Sequence, residues 1–271
     1  MSTLPLIVDG EQLSQKLEDP QVLVVDVSSP ETHIRAHVPG AVFLEYAWIV
    51  DARPPRVGLL PSAQQLGNVL GFLGITPQTH VVACDDEGGG RACRLLWTLD
   101  VIGHRGFSLL DGGINAWLAE QRPVTDAIHT PTRSQYPVGA PDGHGLADKD
   151  YILTHLEDPD VVLLDARSPA EYNGSKVFAQ RGGHIPGAVN LEWTRAMDRQ
   201  RELRLRPAEE LRIMLAELGV TPNKEVITYC QSHHRSAYTY IMLKSLGFER
   251  VRGYPGSWSD WGNEMDTPVA Q

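Results

Sequence analysis

The apolar residues of this chain fall in short unbroken runs rather than long periodic stripes. Val22-Leu23-Val24-Val25 and Val161-Val162-Leu163-Leu164 each end at an aspartate, Asp26 or Asp165. Such runs are too continuous for half-exposed strands and predict parallel strands buried on both faces. A second pair, Val81–Ala83 and Val226–Tyr229, predicts two more. Between them the pattern turns helical. Short helices are predicted near Glu11–Leu17 and Lys149–Leu156, and longer ones opening near Ser62 and Pro207. These longer helices stop before Leu73-Gly74-Ile75-Thr76-Pro77 and Leu218-Gly219-Val220-Thr221-Pro222, where glycine suits a C-cap and proline prevents continuation. Helices over Ala92–Val101 and Ala237–Leu246 and a third short strand complete each set. Alternating strands and helices predict α/β domains with mostly parallel sheets flanked by helices. In such sheets ligands bind beyond the carboxyl ends of the strands.

The order of elements occurs twice, and so do the residues. Val22 to Asp26 with Ser29-Pro30 matches Val161 to Asp165 with Ser168-Pro169 at an offset of 139. His37-Val38-Pro39-Gly40-Ala41-Val42 returns as His184-Ile185-Pro186-Gly187-Ala188-Val189, and Leu73 to Pro77 as Leu218 to Pro222. Gly112 and Trp117 match Gly256 and Trp261. A period this long means two copies of a whole domain, not a solenoid. Val124 to Gly145 is rich in proline and glycine, with little apolar periodicity, and reads as an extended linker. The expected division is 1–124, linker 125–145, and 146–271.

Composition narrows the class. The 271 residues are 42% hydrophobic and 21% charged, enough for an ordinary core in each copy. Lys and Arg number 24 against 34 Asp and Glu, a formal net charge of −10. No surplus of cations is present to displace counterions, so nucleic acid and acidic membranes are not expected partners. No apolar run approaches the ~18 residues of a membrane span. Met1-Ser2-Thr3-Leu4-Pro5 lacks the features of a signal peptide. Three cysteines without a C-x-x-C pair fit a reduced compartment, so a cytoplasmic protein is expected.

The chemistry concentrates where the copies differ. At an offset of 145, Asp85 of the first copy stands opposite Cys230 of the second. Cys230 ends a buried strand, and Gln231-Ser232-His233-His234-Arg235-Ser236 leads into a helix. Loop N–H groups and a helix N-terminus converging there would lower the thiol pKa and yield a nucleophilic thiolate. A buried inert cysteine is the plainer alternative. Cys230 and Arg235 are spaced C-x4-R. Cysteine phosphatases use C-x5-R, one residue longer, to wrap a tetrahedral phosphate. The shorter cradle suits attack on sulfur and its storage as a persulfide.

With these residues the chain resembles a two-domain (tandem) rhodanese, a sulfurtransferase of the thiosulfate:cyanide type. The likeness spans both Asp-ended strands, both His-x-Pro-Gly-Ala-Val turns, Asp111-Gly112-Gly113 and Gly256-Ser257-Trp258-Ser259-Asp260-Trp261. Its loop, Cys230-Gln231-Ser232-His233-His234-Arg235, is similar to a bacterial subgroup of that family. The resemblance implies two rhodanese-like domains, the second catalytic and the first silent, with a persulfide on Cys230. Gln231, Ser232, His233, His234, Arg235 and Ser236 are then the expected substrate-binding residues. Where mammalian thiosulfate sulfurtransferases carry an arginine this chain has Glu171, so Arg235 is expected to be the main cation for an anionic donor. The partners implied are a small-molecule sulfur donor and acceptor, including thiols or proteins that accept sulfur; no cofactor or metal is called for, and a monomer is expected. A phosphatase or arsenate reductase, and a non-catalytic sulfur carrier, are the rivals.

Other signals read more plainly. His233-His234 could ligate a metal in a regulatory protein, but adjacent histidines rarely face one ion and no third ligand is evident. Asp85-Asp86-Glu87-Gly88-Gly89-Gly90 would repel phosphate and reads as the decayed partner of the catalytic loop. Cys84 and Cys93 read as core residues. Trp117, Trp258 and Trp261 are expected to anchor an interface between the copies. Asp165 has a twin in Asp26, and His37 one in His184, which favours structural roles for all four.

Overall fold

In the computed structural model of the chain, the described residues are 4–139 and 143–271. The first repeat supplies β1 (Ile7–Val8), α1 (Gly10–Ser14), β2 (Val22–Asp26), α2 (Pro30–Arg35) and β3 (Val42–Phe43). A hairpin follows, β4 (Asp51–Arg53) and β5 (Arg56–Leu59). Then come α3 (Ala63–Phe72), β6 (His80–Cys84), α4 (Gly90–Val101), β7 (Phe107–Leu110) and α5 (Gly113–Ala119). The second repeat opens with α6 (Lys149–Thr154), β8 (Val161–Asp165), α7 (Pro169–Tyr172) and β9 (Val189–Asn190). Its hairpin is β10 (Met197–Asp198) and β11 (Arg204–Leu205). It closes with α8 (Ala208–Glu217), β12 (Glu225–Tyr229), α9 (Arg235–Ser245), β13 (Val251–Gly253) and α10 (Ser257–Trp261).

Each repeat builds a parallel sheet, ordered β1-β7-β6-β2-β3 in the first and β13-β12-β8-β9 in the second. The mostly parallel α/β fold expected from the apolar runs is therefore present in both. Central β6 is buried at every position, and β12 at every position after Glu225. Ser29 and Ser168 cap α2 and α7, with Pro30 and Pro169 at the first helical position.

Contacts divide the chain differently from a single cut in the linker. Unit 1 comprises Met1–Ile49, Pro61–Asp142 and Asp198–Leu205; unit 2 comprises Val50–Leu60, Gly143–Met197 and Arg206–Gln271. Hairpin β4–β5 of the first repeat thus belongs to unit 2, and most of β10–β11 belongs to unit 1. Leu205 N–H donates to Asp111 Oδ1 of unit 1 at 2.8 Å. Nor is the segment after Val124 a free spacer, although residues 140–142 of the expected linker lie outside the described residues. Ser134 N–H donates to the Gly71 carbonyl at 2.8 Å, and Tyr136 Oη lies 2.8 Å from His104 Nδ1. Gly67 and Gly71 of α3 allow this approach, since a Cβ there would sit 2.9 Å from the Tyr136 carbonyl oxygen or 2.6 Å from that of Ser134.

The tryptophans correct a second expectation. Trp117 lies in the core of unit 1 with Val8, Leu13 and Val82; Trp258 and Trp261 lie in that of unit 2 with Ile227 and Tyr229. Their indole N–H groups donate to the carbonyls of Pro123, Arg181 and Pro268, which is what lets such large rings be buried. They anchor the interior of each unit.

The twin aspartates at the strand ends fix the start of the next loop. Asp26 Oδ1 accepts the Ser28 N–H, and Asp165 Oδ1 the Arg167 N–H, both at 2.9 Å. The other oxygen takes His33 in unit 1 and the Arg167 guanidinium in unit 2. Arg167 is buried, reaches the Gly183 carbonyl at 2.7 Å and lies 4.4 Å over the Trp258 ring. Removing it strands a buried carboxylate. Arg167→Ala is expected to cost about 3–5 kcal/mol, read from the urea midpoint of the intact chain. An unchanged midpoint would show that water replaces the guanidinium.

Candidate active site

The loop between β12 and α9 is held by the turn into α10. Cys230 N–H donates to Ser257 Oγ at 3.2 Å, while the Cys230 and Gln231 carbonyls accept from Trp258 N and Ser259 N at 2.9 and 3.0 Å. His233 has φ 54, in the left-handed region that costs a side-chain-bearing residue about 1–2 kcal/mol. Its first-repeat counterpart, Gly88, has φ 93, so both loops need a left-handed residue at this point. His233 is fully buried, with Nδ1 2.7 Å from Ser236 Oγ.

Cys230 is 1% exposed, and that burial by itself drives its thiol pKa up. The Arg235 charge, the Ser236 hydroxyl and the N–H groups of Ser236 and Ser232 outweigh burial and bring it down to about 7. The other two cysteines lack such donors. Burial, with Asp26 and Asp85 nearby, holds Cys84 well above the ordinary thiol value; burial and Asp85 do the same to Cys93.

Arg235, the expected main cation for a donor, is engaged by a carboxylate. Its two terminal nitrogens donate to the Glu171 carboxylate at 2.7 and 2.8 Å. Burial opposes the charge on Glu171, yet Arg235 and Ser168 hold its carboxyl down at about 2, so the pair persists at neutral pH. Glu171 is also the third residue of a capping box on Ser168, which fixes the carboxylate that fixes the arginine. The other expected binding residues scatter. Ser232 and Ser236 face the sulfur, but Gln231 Nε2 donates to the Phe178 carbonyl at 3.3 Å, and the His234 ring lies 5.6 Å from that of Trp193. His233, being buried against Ser236, supports the loop. Sequence reasoning overlooked Glu171 as a partner, although Ser168-Pro169-Ala170-Glu171 is a legible capping box.

In unit 1 the equivalent loop encloses a carboxylate. Asp85 accepts N–H groups from Gly89, Glu87 and Ala92 at 2.7, 3.0 and 3.0 Å. Burial first, then Glu87, pushes its pKa up to about 6 against those three donors. Asp86 takes the Ser29 and Thr32 hydroxyls at 2.8 and 2.7 Å. Among the described residues no group of three or more His, Cys, Asp and Glu side chains is placed to hold a metal ion.

Comparison with known proteins fits this geometry. The rhodanese-like domain profile matches residues 9–120 and again 148–264. The chain belongs to the rhodanese family. Thiosulfate sulfurtransferases of Azotobacter vinelandii and Pseudomonas aeruginosa are 46% and 43% identical over 268 residues, covering 99% of this chain and 98% of each relative. A sulfur carrier protein of Thermus thermophilus is 32% identical over 98% of this chain and 96% of its own. Among solved structures, the anaerobic ergothioneine biosynthesis enzyme of Chlorobium limicola superposes with a TM-score of 0.85 at 20% identity. That match covers 98% of this chain and 70% of the other, and it shows the fold.

A rhodanese loop with this polarity makes a definite pH prediction. The rate of alkylation of Cys230 by iodoacetamide should rise with pH through a midpoint near 7. In Arg235→Ala the midpoint should move up by one unit or more, cutting the rate at pH 7 by about five-fold or more. A variant midpoint equal to that of the wild type would assign the thiolate to the loop N–H groups alone.

Proposed function

We propose that this rhodanese transfers sulfane sulfur from thiosulfate, or a related anionic donor, to cyanide or a thiol through a persulfide on Cys230. One observation carries the reading. A buried cysteine at the carboxyl end of a central strand has its thiol lowered to about 7 by converging N–H, hydroxyl and guanidinium groups. Such a sulfur is largely ionised near neutral pH without a general base. The thiolate attacks the outer sulfur of thiosulfate; the S–S bond breaks and its electron pair leaves with sulfite. The Cys230 persulfide keeps one negative charge, which the same groups stabilise. Cyanide takes the outer sulfur as thiocyanate and returns the thiolate.

In this mechanism Arg235 stabilises the sulfur anion while Glu171 holds it in place, and Ser232 and Ser236 supply the remaining donors. The first repeat is chemically silent, since Asp85 fills the anion site with its own carboxylate. The three cysteines are buried and unpaired, which supports a reducing, cytoplasmic setting. We take the working form to be a monomer.

Mass spectrometry of the intact chain tests the reading. Thiosulfate is expected to add one sulfur to the peptide containing Cys230, and cyanide to remove it as thiocyanate. A sulfur that loads but is not passed on would favour a carrier, the role named for the Thermus relative. Hydrolysis of an aryl phosphate would instead restore the phosphatase reading.

The silent repeat makes a separate prediction. Because its folded-state pKa is raised to about 6, the stability Asp85 contributes is full below about pH 4 and is lost as pH rises through 6. Asp85→Asn should flatten the dependence of the melting temperature over that window while leaving sulfur transfer per folded molecule unchanged. Lost turnover in a folded variant would mean that the first repeat takes part in the chemistry.

A further inference from the structure

Arg235 is committed to Glu171, and the chain as a whole is strongly anionic, so a dianionic donor needs another cation at the loop. Hairpin β4–β5 of the first repeat lies against the catalytic loop within unit 2. Val57 N–H donates to Ser259 Oγ, and that hydroxyl is 3.0 Å from the Val57 carbonyl oxygen. Ser259 N–H in turn holds the Gln231 carbonyl. Gly58, at φ 87, comes so close that a Cβ there would lie 2.1 Å from the Ser232 carbonyl oxygen. The missing side chain of Gly58 therefore points at the loop residue whose N–H faces Cys230.

Gly58 is the bulged residue of β5, and it is the Val57–Ser259 bond that sets Arg56 beside α10, next to the turn that holds the catalytic loop. Its side chain is 47% exposed and reaches Asp260 only at 4.0 Å, a loose contact for an ion pair. Asp260 already accepts the Tyr254 hydroxyl at 2.7 Å. Lys176, near the segment that Gln231 touches, lies instead 4.9 Å over the Phe178 ring.

We propose that Arg56, contributed by the silent repeat, is a donor-recognition residue, binding the sulfonate oxygens of the incoming sulfur donor beside the Cys230 loop. The inference rests on the sulfur-transfer reading above. A guanidinium can meet two oxygens of such a group at once, and an exposed, loosely paired one can turn to them without breaking a strong bond. The acceptor step has no sulfonate to hold.

Steady-state and stopped-flow kinetics of Arg56→Gln and Arg56→Lys test it, with Lys224→Gln as the control. Lys224 precedes β12, at the opposite end of that strand from Cys230, so its loss changes net charge equally without touching the loop. Arg56→Gln is expected to raise KM for thiosulfate by about three- to ten-fold. The limiting rate, the Cys230 alkylation profile and discharge of the loaded persulfide to dithiothreitol should stay unchanged. Arg56→Lys should restore part of the affinity, and the salt dependence of loading should weaken in Arg56→Gln alone. Equal KM values in Arg56→Gln and Lys224→Gln would overturn the proposal. Failure of the wild type to load any sulfur would overturn the sulfur-transfer reading instead.

Discussion

The structure of both units turns on one buried anion at the carboxyl end of the central parallel strand. A charge placed there is cut off from water, and only donors fixed by the backbone replace the lost hydration. Each repeat meets that demand with a loop that carries a left-handed residue at the same point, Gly88 or His233. Unit 1 encloses the Asp85 carboxylate with three N–H groups; unit 2 turns N–H groups and a hydroxyl toward the Cys230 sulfur. A carboxylate completes such a cradle with oxygens that only accept hydrogen bonds. A thiolate completes it and still has a lone pair for chemistry.

The flanking charges are inverted between the units. In unit 1 the loop carries the acid, Asp86, and α2 supplies the neutral donors Ser29 and Thr32. In unit 2 the helix carries the acid, Glu171, and the loop supplies the cation, Arg235. The inversion matters because Arg235 must be near the sulfur to lower its pKa, and an unpaired buried guanidinium would be costly. Glu171 offsets that cost by pairing with both terminal nitrogens. The pair is consequently closer to neutral as seen by a donor than the C-x4-R spacing alone suggests.

Legibility followed range along the chain. The four long strands were readable because continuous apolar runs have one physical meaning in a parallel sheet, and Val22–Asp26 and Val161–Asp165 agree with the observed spans. The repeat located the loop, and Cys230 stood out by replacing Asp85. What escaped the sequence was contact between distant segments. Arg235 and Glu171 are 64 positions apart, and Val57 and Ser259 are 202 apart. Neither pair leaves a local periodicity. The short hairpins are equally silent, since strands of two to four residues with exposed arginines lack the alternation that marks a buried face. Large aromatics such as Trp117, Trp258 and Trp261 suit an interface and a core alike, so ring size does not say which interior a side chain fills.

The hairpin of the first repeat closes one face of the Cys230 loop in unit 2. A chain cut between the repeats would take β4–β5 away from unit 2, leaving Ser259 without the Val57 backbone and the Ser232 face of the loop open to water. Water at that face would screen the Arg235 charge and compete for the N–H groups that hold Cys230 near pH 7 as an anion. Hairpin β4–β5 acts as a wall there, and a wall must be small where it meets the loop. Gly58 satisfies that requirement by having no side chain. The enclosure of the Cys230 loop therefore depends on a hairpin that the sequence supplies from the first repeat and the fold places in unit 2.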